Sequence, residues 1–292
     1  MLKILSLISF FASVVLSDAL ASTIGVIPTP KSADVSTSKK EEIFSLIPHK
    51  AEYEVSIGKE SSNSEVKDVR GKVYVQILDT DDGVTFSQES QIIVYYDDGT
   101  GEMYVSKLIS WESKDGTKYD FHIINSRPNT NDSGESDKIE IHGQANKTKN
   151  SGIVRFQQSD SGLLPIQLPS NTIFPLEYLR CLLSAMKEGK TTLSNLKIFD
   201  AKNEFLEVVE TNTILSSRPF DPKINLSDNV VSTDKAWSIV YGVYPINSNN
   251  TSPDYEVKQV ILPNGVVTFS QTIFDGILLN LKLTKLEVYP KA

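Results

Sequence analysis

Cysteine is almost absent. Cys181 is the only one in 292 residues, so no intrachain disulfide can form and cysteine-type zinc sites are excluded by arithmetic. Histidine is scarce too: His49, His122 and His142 are the whole set, with no His-Glu-x-x-His and no helical i, i+4 pair, so no metal is expected. A basic excess is missing, with 29 Lys and Arg against 37 Asp and Glu and a net charge of −8. Nucleic acid is therefore a poor partner, because neutralising phosphates needs a basic stripe. Long apolar runs are missing after the first residues, so no later segment could cross a membrane as a helix. Alternating strands with Lys, Glu and Asp on one face, interrupted by a helix, also argue against an outer-membrane barrel.

Motifs for covalent chemistry are lacking as well. There is no G-x-S-x-G and no S-x-x-K. Asp79-Thr80-Asp81-Asp82-Gly83 looks like the start of a calcium loop, but Gly83 and Ser90 stand where that loop needs oxygen ligands. A hairpin turn is the better reading. Thirty-seven acids make chance carboxylate pairs plentiful, so a glycan hydrolase working through such a pair has no specific support. No cofactor is called for, and Cys181 reads as a small buried hydrophobe at the edge of an apolar helix face.

What is present begins with an address. Lys3, the apolar run Ile4–Leu16 and Ala19-Leu20-Ala21 form a signal peptide over residues 1–21, with cleavage expected between Ala21 and Ser22. Residues 22–45 read as a flexible polar segment and 46–292 as one β domain, exported to the periplasm and monomeric.

Five dipeptides organise that domain: Asp82-Gly83, Asp98-Gly99, Asp115-Gly116, Asn264-Gly265 and Asp275-Gly276. Each lies between runs of alternating apolar and polar residues, the pattern of antiparallel hairpins. About thirteen strands follow from the period, from Ala51–Ile57 to Ile277–Val288. In the last, the apolar parity switches near Thr284-Lys285, which predicts a bulge. One helix is expected over about 173–188, capped from Ser170-Asn171-Thr172, with Pro175 in its first turn and Gly189 at its end. Its apolar arc, Leu176, Tyr178, Leu179, Leu182, Leu183 and Met186, is too broad for a surface helix and predicts deep seating in a curved sheet.

Several segments, in order, resemble the EipB family of cell-envelope integrity proteins: His49-Lys50-Ala51-Glu52-Tyr53, Val69-Arg70-Gly71-Lys72-Val73, Trp111-Glu112, Leu168 to Pro175, Pro253-Asp254-Tyr255-Glu256, Asn264-Gly265-Val266 and Phe274-Asp275-Gly276. The resemblance implies a periplasmic open β-barrel or β-spiral of 13–14 strands with no established catalytic residues. Many members carry a cysteine pair that this chain lacks, so no disulfide is carried over. The function expected is non-enzymatic support of the envelope by binding a lipid, a glycan or a periplasmic protein. The alternatives are an envelope glycan hydrolase and a ligand-free scaffold or chaperone-like protein. Trp111, Tyr178 and Trp237 are the candidate ligand-lining residues, weighed against ordinary core packing.

Overall fold

The computed structural model describes residues 46–58, 65–128, 137–157, 163–201, 206–218, 235–246, 251–274 and 277–289. The cleavage site at Ala21 and Ser22, the polar segment 22–45 and the Asp275-Gly276 turn lie outside the described residues.

Among the described residues fifteen strands form one sheet: β1 (His49–Ile57), β2 (Val66–Asp79), β3 (Gly83–Tyr96), β4 (Gly101–Ser113), β5 (Lys118–Arg127), β6 (Asp137–Lys147), β7 (Gly152–Phe156), β8 (Ile166–Leu168), β9 (Thr172–Ile173), β10 (Thr192–Phe199), β11 (Val208–Ser216), β12 (Trp237–Pro245), β13 (Tyr255–Ile261), β14 (Val267–Phe274) and β15 (Ile277–Val288). The helix α1 (Pro175–Lys187) falls between β9 and β10. The two strands beyond the thirteen read from periodicity are β8 and β9, three and two residues long. Segments that short carry no period.

The sheet order is β8-β7-β6-β5-β4-β3-β2-β1-β15-β14-β13-β12-β11-β10-β9. Sheet neighbours are consecutive in the chain except where β1 meets β15. The two edge strands, β8 and β9, are consecutive in sequence and joined by residues 169–171. The ring of strands is therefore nearly closed, and covalent chain rather than a ladder of hydrogen bonds spans the remaining gap.

The turns follow from their glycines, with one exception. Gly99, Gly116 and Gly265 have positive φ, the conformation that tight turns demand and glycine adopts without strain. Gly83 does not share it. It opens β3 beneath the Trp111 indole, where a Cβ would lie 2.3 Å from Nε1. Close approach, rather than turn geometry, demands glycine there.

The predicted bulge is present. Glu52 pairs with Lys285 and Tyr53 with Leu283, leaving Thr284 unpaired, and its hydroxyl donates to the Glu52 carbonyl at 3.0 Å. The extra residue rotates the apolar parity of β15 and bends it where β1 joins.

The helix departs from the predicted start. Phe174 is its N-cap residue and offers no side-chain cap, while Asn171 sits at φ 60° and Thr172 turns its hydroxyl back to Pro169. Of the polar trio expected to cap α1, Ser170 and Asn171 instead lie in the β8–β9 connection and Thr172 opens β9. The broad apolar arc seats as its width requires, with Leu176, Leu179, Leu182 and Leu183 at 0–1% exposure. The first turns of α1 are held from two sides, by Glu112 of β4 and Lys114 just after it and by Thr213 of β11, so the helix is seated between these strands.

Candidate functional site

Two features position the interior: an anchor that fixes α1, and a polar row on the wall opposite the anchor. The anchor is Glu112, last of the inward residues on β4 and 3% exposed. Its Oε2 accepts the Leu176 N–H at 2.7 Å and its Oε1 the Glu177 N–H at 3.1 Å. These are first-turn amides that the helix cannot satisfy itself. Burial pushes the Glu112 carboxyl up to about 8, outweighing the two amide donors and the Arg180 charge, which pull it down.

Arg180 donates from Nη1 to the Lys114 carbonyl at 2.6 Å, pinning the same turn of α1 to the β4–β5 hairpin. Lys147, at the end of β6, donates to the Thr172 carbonyl at 2.8 Å and to Glu177 Oε2 at 2.6 Å. Its ammonium also lies 4.9 Å from the Phe174 ring centroid. One lysine thus bolts β6 to β9 and α1 across the gap in the sheet.

Aromatic rings fill the same gap. Phe174 stacks on Tyr119 at 5.4 Å, Phe199 of β10 meets Tyr119 and Phe121 at 6.3 and 5.9 Å, and Phe156 of β7 meets Phe121 edge-on at 6.2 Å. Phe121 lies against Gly143, where a Cβ would be 2.3 Å from Cζ. Apolar contact thereby does the joining that backbone pairing does elsewhere.

On the far wall the inward positions become polar. Thr211 and Thr213 on β11, Tyr241 on β12, Gln259 on β13, and Ser270 and Thr272 on β14 are all buried. From the helix, Tyr178 reaches this wall: its hydroxyl hydrogen-bonds Thr213 Oγ1 at 3.0 Å and its ring meets Tyr241 edge-on at 6.2 Å. Gln259 donates from Nε2 to Ser270 Oγ at 3.3 Å. Asp200, following β10, is 8% exposed and close enough to help raise the phenol pKa values of Tyr119, Tyr241 and Tyr255, after burial itself.

The three aromatic candidates are separated. Tyr178 faces the interior. Trp237 opens β12, half-buried against the core, on the same parity as Ile239 and Tyr241. Trp111 alternates with inward Ser110 and Glu112 and lies on the outer face over Gly83. Of the three, it does not line the interior.

The histidines also part company. His122 and His142 are cross-strand partners, rings 5.1 Å apart, with His122 Nε2 2.8 Å from Glu140 Oε1. His49 is fully buried, with Nδ1 2.8 Å from the Ile47 carbonyl, and burial lowers its pKa. Among the described residues no group of three or more His, Cys, Asp or Glu could hold a metal ion.

Sequence reasoning missed Glu112 as a helix cap and the whole polar row. Glu112 carried one signal, a carboxylate in the inward parity of β4. The row carried none, since inward Thr, Tyr and Gln break the apolar pattern by which a core face is recognised.

A family model described as EipB-like matches residues 40–290. Among solved structures the chain is similar to a β-barrel-like protein of a domain of unknown function from Brucella abortus. That similarity has a TM-score of 0.71 at 18% identity and covers 84% of this chain and 99% of the other. No curated protein matches.

Proposed function

The chain belongs to the EipB-like family, and from that premise we propose a non-enzymatic periplasmic protein that supports envelope integrity by holding an envelope ligand or partner. The observation that carries the non-enzymatic reading is how Glu112 is used. Hydrolysis by a carboxylate pair needs one acid free to protonate a leaving group and another free to attack or activate water. Both oxygens of Glu112, the most deeply buried glutamate of the interior, accept helix amides instead. Its carboxyl group serves architecture. The small-x-small sequence ahead of Ser22 supports export.

The test pairs a cell with an assay. A deletion strain should become sensitive to detergent and chelator, and recover with the full gene but not with one lacking residues 2–21. Purified protein incubated with sacculi should release no soluble fragments. Release that is lost in Asp200→Asn would replace this reading with the hydrolase.

A further inference from the structure

The outer face of β5 and β6 carries a histidine pair that the barrel interior does not use. His122 and His142 are Cα partners across the ladder, with ring centres 5.1 Å apart. Both alternate with buried residues, Phe121 and Ile123 on β5 and Gly143 on β6, so both point outward. Both are reachable: the His122 side chain is 33% exposed and His142 is exposed. Water and ions therefore have open access to the pair.

The spacing suits a shared ion. A metal bound by two imidazoles sits about 2.0 Å from each nitrogen, and so about 3.2 Å from each ring centre. Ring centres 5.1 Å apart then subtend about 105° at the metal, between the square-planar and tetrahedral angles. Rotation about χ2, a broad torsion, swings the nitrogens while leaving the ring centre in place. His122 is also held as a ligand would be. Its Nε2 lies 2.8 Å from Glu140 Oε1. A carboxylate only accepts, so Nε2 carries the hydrogen, and in the neutral ring Nδ1 keeps its lone pair. A carboxylate that fixes the tautomer in this way is the common companion of a metal-binding imidazole. Lys138 donates to the other Glu140 oxygen at 2.7 Å, which occupies that acid on both sides. Asp120 is the next outward residue on β5, so acids flank the pair along the strands.

The number and type of ligands select the ion. Calcium and magnesium take oxygen ligands, and two imidazoles offer none. Structural zinc takes four protein ligands, and among the described residues no third His, Cys, Asp or Glu completes such a set. What fits is an ion that binds imidazole strongly and fills its remaining positions with water. Copper(II) stands highest in that series. We propose that His122 and His142 form a two-histidine, water-completed site for a divalent transition metal, copper(II) before nickel(II) or zinc(II), with Glu140 positioning His122. The site lies on the outer wall, so it goes beyond the ligand-holding reading and does not depend on it. Bound metal would clip β5 to β6 at His142, next to the stretch Gly143–Lys147 that β7 pairs with.

The test uses the mature protein, purified without a histidine tag and stripped with a chelator. It is titrated with copper(II), nickel(II), zinc(II) and magnesium chlorides by calorimetry. Copper(II) should bind saturably at one equivalent and magnesium not at all, and the copper EPR spectrum should show two imidazole nitrogens. His122→Ala and His142→Ala should each weaken copper binding by about tenfold or more, and so should Glu140→Gln, which leaves both nitrogens in the spectrum. Copper should raise the melting temperature of the parent and not that of His142→Ala. Both histidines lie on the surface, so the alanine variants should fold like the parent. Copper binding of equal strength in the parent and either alanine variant overturns the site, placing the ion on the amino terminus or on scattered carboxylates. A spectrum with a single nitrogen donor overturns it as well. Absence of saturable copper binding does the same, and leaves an ordinary surface ion pair between His122 and Glu140.

Discussion

The carboxylate of Glu112 caps a helix whose first amide belongs to Leu176, 64 residues further along the chain. Most helices find their N-cap within a residue or two, and Phe174 supplies none here. The end of β4 and the start of α1 are therefore one structural unit. Glu112→Ala should orphan two buried amides and cost about 2–4 kcal/mol, read by urea denaturation.

The pH dependence of that unit has a definite sign. Burial raises the folded-state pKa of Glu112 to about 8, against about 4.3 in an unfolded chain. Between those values the unfolded chain has released a proton that the folded one retains. The contribution is thus fully present below the unfolded pKa and is lost as pH rises toward 8. Its limiting slope is about 1.4 kcal/mol per pH unit. Glu112→Gln cannot titrate, so the stability difference, parent minus variant, should fall steadily from pH 5 to pH 8. A difference that stays flat would place the carboxyl in its ordinary range.

Lys147 predicts a local effect. Replacing it with Met removes the hydrogen bond to Thr172 and the ion pair with Glu177 while keeping the stem over Phe174. Hydrogen exchange should accelerate at Ile173 and Ile198, which share the short β9–β10 ladder. Amides of β2 and β3 should be unaffected.

Gly143→Ala should be among the most damaging small substitutions. The new methyl would meet the Phe121 ring, itself 1% exposed and held by Phe156 and Phe199. Overpacking of this kind costs about 1–3 kcal/mol. Adding Phe121→Leu should return part of it, a coupling that a double-mutant cycle measures directly.

Cys181 should be sluggish. Burial pushes its thiol pKa up, Glu177 adds to that, and the side chain is only partly accessible at the edge of the helix's apolar arc. Reaction with a thiol reagent at pH 7.5 should be at least about tenfold slower in the native protein than in urea, because the thiolate is the reacting species.

How much of this was legible follows the range of each interaction. The Gly99, Gly116 and Gly265 turns and the Thr284 bulge are written in a few adjacent residues, and they were found. The helix was visible from Leu176 to Met186, but its cap was not, since Glu112 is remote in sequence. Asn171 and Thr172 had the right chemistry in the right place, yet tertiary closure of the sheet claimed Asn171 for the β8–β9 turn and Thr172 for β9. Trp111 misled for a related reason. On β4 the outer face carries Ile109 and Trp111 while the inner carries Ser110 and Glu112, so hydrophobicity points the wrong way. The wall of Tyr241, Gln259 and Thr272 inverts the same rule.

The pairing of His49 with Val288 brings the two ends of the described chain onto neighbouring strands. In the native connectivity that pairing must wait until β15 has been made, and it closes a very long loop at a cost in entropy. A circular permutant could join the ends near residues 48 and 289 through a short glycine-rich link and open instead at Asn264-Gly265. It would turn the longest-range contact of the barrel into a hairpin. Such a chain should reach the same final shape by a faster route, making the order of assembly, rather than the shape itself, the property that the order of strands along the chain decides.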